Sequence, residues 1–128
     1  MTFLLDNDIP YKIADALAAL SKDVRSMRAV YGASAKDTEW IPQAAKDRLV
    51  VITADRRLLK NKAEKEALRK HKVTVLFLNP FFSNLKMWDK AVWFIRRWEE
   101  MEGFGSAVSY GTMASVSQNG KCTVIPLK

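Results

Sequence analysis

The sequence predicts an α/β fold: a three-layer α/β/α sandwich around a mainly parallel sheet, with a β-hairpin at the C-terminal end. Three observations predict it. Short apolar runs such as Phe3-Leu4-Leu5 and Val50-Val51-Ile52 recur along the chain, as do strands buried on both faces. Segments of helical period separate them, and alternating strands and helices imply parallel strands joined by crossovers. Near the end, two alternating runs flank Asn119-Gly120, the strongest short hairpin signal.

Each element follows in order. Thr2–Leu5 is a short buried strand. Ile9–Leu20 is a helix, with Ile9, Ile13, Leu17 and Leu20 on the helical period and Pro10 tolerated in the first turn. Lys22–Met27 is a second short strand, and residues 31–34 form a loop. Asp37–Lys46 is a short helix that Ser34 or Asp37 would cap, with Pro42 pushing its start toward Trp40. Leu49–Thr53 is the clearest strand, β-branched and apolar until Thr53. Arg56–His71 is one charged helix with Leu58, Leu59, Ala63, Ala67 and Leu68 inward. Lys72–Leu78 is a further buried strand, stopped by Asn79-Pro80. Asn84–Glu102 is the longest helix, with Leu85, Trp88, Val92 and Ile95 on its core face and Gly103 at its end. The chain is expected to be a single domain over 1–128, its core about 1–102 and an appended hairpin about 103–128.

Composition narrows the chemistry. There is one cysteine, Cys122, and one histidine, His71, so an internal disulfide, a Cys-based zinc site and a multi-His metal centre are out of reach. Catalysis would have to run on carboxylates, hydroxyls, Lys and Arg. No apolar run approaches the ~20 residues of a membrane span, and Asp6 interrupts the first apolar run too early for a signal peptide. A cytoplasmic protein with no membrane partner is the expectation. A net charge of +7 favours polyanionic partners, nucleic acid first.

Five of the fourteen acids are candidates for one pocket: Asp6, Asp8, Asp37, Glu39 and Asp55. Asp6 and Asp55 follow apolar strands, and α/β sites form outside the carboxyl ends of parallel strands. Clustered carboxylates repel unless a cation neutralises them, and a hard ion with oxygen ligands, Mg²⁺ or Mn²⁺, is the natural occupant. Such an ion activates water for displacement at phosphorus. Simpler roles compete. Asp37 and Asp8 also read as helix caps, and Glu39 as an exposed first-turn acid. Thr53 either orients Asp55 through its hydroxyl or merely ends the strand.

The order "FLLDNDIP", "GASAKDTEW", "LVVITADRRLL" resembles the PIN-like domain superfamily, and is most similar to its short members found as toxin candidates in toxin–antitoxin modules. The resemblance covers roughly Thr2–Leu78. It implies an α/β/α fold and a Mg²⁺- or Mn²⁺-dependent ribonuclease that cleaves RNA phosphodiesters by metal-activated water, neutralised by a cognate antitoxin. It maps the family's acids onto Asp6, Asp37 and Asp55, and the Thr of its Thr-x-Asp motif onto Thr53. This chain departs from the pattern where Arg56 and Arg57 follow Asp55 in place of a further acid, so Asp8 or Glu39 would serve as the fourth ligand.

Eight of the seventeen residues from Arg56 to Lys72 are basic. Arg56, Arg57 and Lys60, with Thr53, are the candidate substrate-binding residues, since phosphate contacts give affinity without sequence information. Trp93, Phe94 and Trp98, with Arg96 and Arg97 among them, read as core, as a protein interface for an antitoxin or a second copy, or as a base-stacking surface. Two other functions compete with the nuclease. One is a non-catalytic nucleic-acid-binding or protein-interaction module on the same fold. The other is a haloacid-dehalogenase-like phosphatase with Asp6 as nucleophile and Asp8 as acid, against which Pro10 replaces the usual Thr or Val and no late acidic pair follows Leu78.

Overall fold

The computed structural model describes residues 2–126. Its strands are β1 (Phe3–Leu5), β2 (Val24–Ser26), β3 (Val50–Thr53), β4 (Thr74–Leu78), β5 (Met113–Val116) and β6 (Cys122–Val124). Its helices are α1 (Tyr11–Ala19), α2 (Met27–Val30), α3 (Asp37–Lys46), α4 (Arg57–Lys60), α5 (Lys62–His71) and α6 (Met87–Ala107), with a 3₁₀ turn over Pro80–Asn84. The strands lie in the order β2-β1-β3-β4-β5-β6. Every neighbouring pair is parallel except β5–β6. This is the mainly parallel sheet the alternating pattern predicts.

Strand side chains alternate between two cores, which makes three layers. Phe3, Leu5, Val50, Ile52, Leu76, Leu78, Ala114 and Val116 face Ile13 and Leu17 of α1 and Phe94, Trp98 and Met101 of α6. Leu4, Val51, Val75, Phe77 and Met113 face Trp40, Ile41 and Ala44 of α3, Leu58 of α4 and Leu68 of α5. Because both faces are covered, β1, β3 and β4 are buried at every position. That explains why they read as continuous apolar runs rather than alternating ones.

Local differences from the sequence expectations have local causes. The helix expected over Arg56–His71 is two, split at Asn61, whose ψ of 116° leaves the helical region. Its Oδ1 accepts the Ala63 and Glu64 N–H groups at 3.0 and 3.2 Å. Asparagine gains more as a cap than inside a helix. Within this region Leu58 and Leu68 are buried, while Ala63 is exposed. Helix α3 starts at Asp37 despite Pro42. Its cap position is Lys36, not Ser34 or Asp37, and Glu39 Oε1 accepts the Lys36 N–H at 3.0 Å. A short helix, α2, follows β2 directly where no helix was expected, its first turn closed by the Ser26 hydroxyl accepting from Ala29 N–H.

The largest corrections concern the last third of the chain. Helix α6 runs through Gly103 and ends at Ala107. Of the stripe expected in the core, Leu85 does pack against it from just before α6, but Trp88 and Ile95 point outward, 78% and 48% exposed. The inward residues are Trp93, Phe94, Trp98, Met101 and Gly105. Gly105 permits this seat, since a Cβ there would fall 2.7 Å from Cε2 of Phe3. The hairpin is present, its turn closed by Ser117 N–H to the Lys121 carbonyl and by Gly120 N–H to the Ser117 carbonyl. It is not an appendage, however: β5 pairs with β4, with Val75 opposite Met113, and Met113, Ala114 and Val116 are buried. No helix among the described residues is long and apolar enough to cross a membrane.

Candidate functional site

Register brings the acids together. Leu5 lies opposite Ile52 in the β1–β3 pair, so Asp6 falls beside Thr53. The Asp6 N–H donates to the Ile52 carbonyl at 3.0 Å, extending the ladder by one bond. Thr53 is fully buried and serves as the hinge of the site. Its hydroxyl donates to Asp6 Oδ2 at 2.7 Å, and its oxygen accepts the Asp55 N–H at 3.0 Å. Asp8 Oδ2 approaches the same hydroxyl at 3.5 Å and accepts the Ala54 N–H at 3.1 Å. A hydroxyl has one proton to give, and the distances give it to Asp6. Thr53, a substrate-binding candidate that was also expected to orient Asp55 through its hydroxyl, positions the acids here.

The electrostatics are those of a crowded carboxylate site. Burial raises the Asp6 carboxyl above its ordinary range, against the Thr53 and Asn7 hydrogen bonds, and the charges of Asp37 and Asp55 add to the rise. Burial, then the charge of Asp6, pushes Asp8 up to about 7. Asp55 goes the other way. Arg57 Nε and Nη2 grip its two oxygens at 2.9 and 3.0 Å and lower it. The Arg57 N–H also donates to Asp55 Oδ1 at 3.0 Å, so Asp55 opens the α4 turn as well as facing the site.

The remaining candidates divide. Asp37 comes near enough for its charge to act on Asp6, and its Oδ1 accepts the Trp40 Nε1–H at 2.8 Å. Glu39 is exposed and holds the Lys36 N–H at the start of α3. Arg56 turns toward the end of β4, where Nη1 donates to Asn79 Oδ1 at 3.2 Å. Lys60 is exposed at the end of α4. Among the described residues, no group of three or more His, Cys, Asp or Glu side chains is placed to hold a metal ion. The donor chemistry still suits a hard cation: all-oxygen ligands whose burial, and then mutual repulsion, raise Asp6 and Asp8.

Sequence reasoning missed three contributors. Glu64, in the first turn of α5, comes near Asp37 and is raised by burial and then by the Asp37 charge. Recognising Asn61 as a cap would have found it. Arg28 and Tyr11 line a cleft of about 170 Å³ that opens at Asp6, with the Arg28 guanidinium 4.6 Å from the Tyr11 ring centre. Asn7 ties the cleft's far wall, its Nδ2 donating to the Gly32 and Ala33 carbonyls at 3.2 Å each. Neither Arg28 nor Tyr11 carries a sequence signal, because only the β1–β2 pairing sets α1 beside α2.

No curated protein and no solved structure matches the chain. A family model described as "PIN like domain" matches residues 1–80, from the start of the chain through the end of β4. The matched stretch contains Asp6, Asp8, Asp37, Asp55, Arg57 and Glu64. PIN-like domains are in general nucleases and typically use divalent metal ions, which makes a hydrolase acting on nucleic acid the coarse functional class. With 80 of 128 residues matched, the chain belongs to the PIN-like domain family.

Proposed function

We propose that this protein is a metal-dependent endoribonuclease, the toxin of a toxin–antitoxin pair held in check by a cognate antitoxin. The observation that carries the nuclease reading is the end of β3, where the Thr53 hydroxyl holds Asp6 and Asp55 and the Ala54 N–H holds Asp8. Asp6, Asp37 and Asp55 would hold Mg²⁺ or Mn²⁺, with Asp8 and Glu64 as the nearest further acids. Glu39 is spent on the Lys36 N–H. When bound, the ion would activate water and neutralise charge on the scissile phosphate. The chain's own residues do the rest. Thr53 fixes the direction of Asp6. Asp8, poised at about 7, is the carboxyl best matched to moving a proton at neutral pH. Arg57 and Lys60 on one side, with Arg28 and Tyr11 on the other, would hold the RNA backbone and a flanking base.

The test is cleavage of a mixed RNA pool by purified protein in Mg²⁺, in Mn²⁺ and in EDTA, beside Asp6→Asn. Cutting that needs the metal and disappears in Asp6→Asn is the expected result. No cutting in either metal would overturn the enzyme. A second reading, a non-catalytic RNA-binding module, is favoured by one observation: Asp55 is already neutralised by Arg57 at 2.9 Å. Under that reading, wild type and Asp6→Asn would bind RNA equally well in EDTA and neither would cut.

A further inference from the structure

Helix α6 is apolar on two opposite faces, and the sheet uses only one. The outward stripe is Trp88, Val92 and Ile95, spaced by four and three residues. That spacing keeps them on one side of a helix. Trp88 is the most exposed large apolar residue of the described chain, at 78%, and Ile95 and Met87 are close to half exposed. Single exposed apolar residues are ordinary, but a tryptophan in a row with two aliphatic neighbours marks an interaction surface. The other three tryptophans, Trp40, Trp93 and Trp98, are buried.

What covers the stripe is indicated by its charges. Asp89 and Arg96 are both exposed and lie on the same side of the helix, three residues before and four residues after Val92. Two copies of α6 packed antiparallel about Val92 place position 88 opposite 96 and position 89 opposite 95. Each Arg96 then meets the Trp88 ring and, one residue along, the Asp89 carboxylate of the second copy. Both are favourable partners for a guanidinium. A parallel arrangement sets Asp89 against Asp89 and Arg96 against Arg96, which repel. The stripe is therefore complementary to itself in one orientation, as a two-fold interface requires. A groove of about 250 Å³, lined by Leu85, Val92, Arg96 and Arg97 among others, runs beside it and leaves room for side chains of the second copy.

We infer that the outward face of α6 is a homodimer interface, with two copies packed antiparallel about Val92 and joined by Trp88–Arg96 and Asp89–Arg96 contacts. The acids at the β1 and β3 ends play no part in it, so it stands or falls independently of nuclease activity.

Sedimentation velocity over about 1 to 100 µM, the range that separates transient from stable association, tests it on the full chain. The wild type is expected to dimerise, and Trp88→Ala to raise the dissociation constant about 30-fold, as central tryptophans do. Asp89→Arg and Arg96→Asp should each weaken the dimer. A mixture of the two variants should dimerise again, because every charged contact is then paired between unlike copies. All three side chains are exposed, and far-UV circular dichroism checks that each variant is folded. A wild type that stays monomeric throughout the range overturns the inference and leaves the face to a different partner. A dimer indifferent to Trp88→Ala overturns it too, and a mixture that fails to associate overturns the antiparallel pairing.

Discussion

The two faces of α6 carry the same kinds of residue and differ in fate. Trp98 is 1% exposed and packs edge-on against Phe3 with ring centres 5.2 Å apart, while Trp88 on the opposite side meets water. Hydrophobicity alone does not rank the two stripes. What separates them is length and one glycine. The inward stripe continues through Met101 to Gly105, two turns beyond Trp98, and Gly105 lets the backbone close on Phe3. The outward stripe stops at Ile95, with exposed Glu99 next on that side. A sheet takes the longer apolar face with the smaller contact residue, because that face buries more area at closer approach.

This comparison can be broken most directly at its two tryptophans. Trp98→Ala is expected to cost about 3–5 kcal/mol of folding stability, the usual range for a large aromatic removed from a packed core. Trp88→Ala should change it by no more than about 0.5 kcal/mol. Urea unfolding at a protein concentration low enough to be monomeric measures both. Equal losses would mean that the faces have been assigned wrongly.

The two glycines sharpen it further. Gly105→Ala drives a Cβ into the Phe3 ring and is expected to destabilise by about 1–3 kcal/mol. Gly103 lies on the open side with nothing near its missing Cβ. Gly103→Ala is expected to stabilise by about 0.5–1 kcal/mol through helix propensity alone. Thermal melts of the two variants should therefore move in opposite directions.

The smallest expected effect comes from the acid edge, where polarity rather than apolar area is unbalanced. The Asp8 carboxyl rises to about 7 in the folded protein, so folding favours its protonated form. Its contribution is fully present below the ordinary carboxylate range and is lost as pH rises through about 7. Without divalent metal, Asp8→Asn should be more stable than wild type at pH 8 and equal to it at pH 4. Although neighbouring groups desolvate its carboxyl, the Asp8 residue keeps an open side to solvent that screens it, so the gap at pH 8 should be about 1 kcal/mol or less. Denaturant titrations in EDTA at the two pH values check it, and a gap at pH 4 as large as that at pH 8 would rule out carboxylate crowding as its source.

Much of the site was legible in the chain because it is local. Asp6 and Asp55 stand at the ends of short apolar strands, and a continuous apolar run needs few residues to be read. Thr53 was placed at the end of β3, and its hydroxyl orients the acids there, as one of its expected roles. Glu64 was hidden because Asn61 was read as a helix interior and not as a cap. Arg28 and Tyr11 were invisible for a different reason: they meet across the β1–β2 pairing, a contact between residues far apart in sequence.

By itself the sequence determined the layer architecture, the parallel strands and the acids at their ends, because burial on both faces and strand-end chemistry leave marks within a few neighbouring residues. Tertiary structure alone decided which face of α6 the sheet covers, and that β5 enters the sheet beside β4 instead of standing apart. Each of these choices compares alternatives of similar local cost, and only the packing of distant segments, which sets the area buried and the charges brought together, distinguishes them.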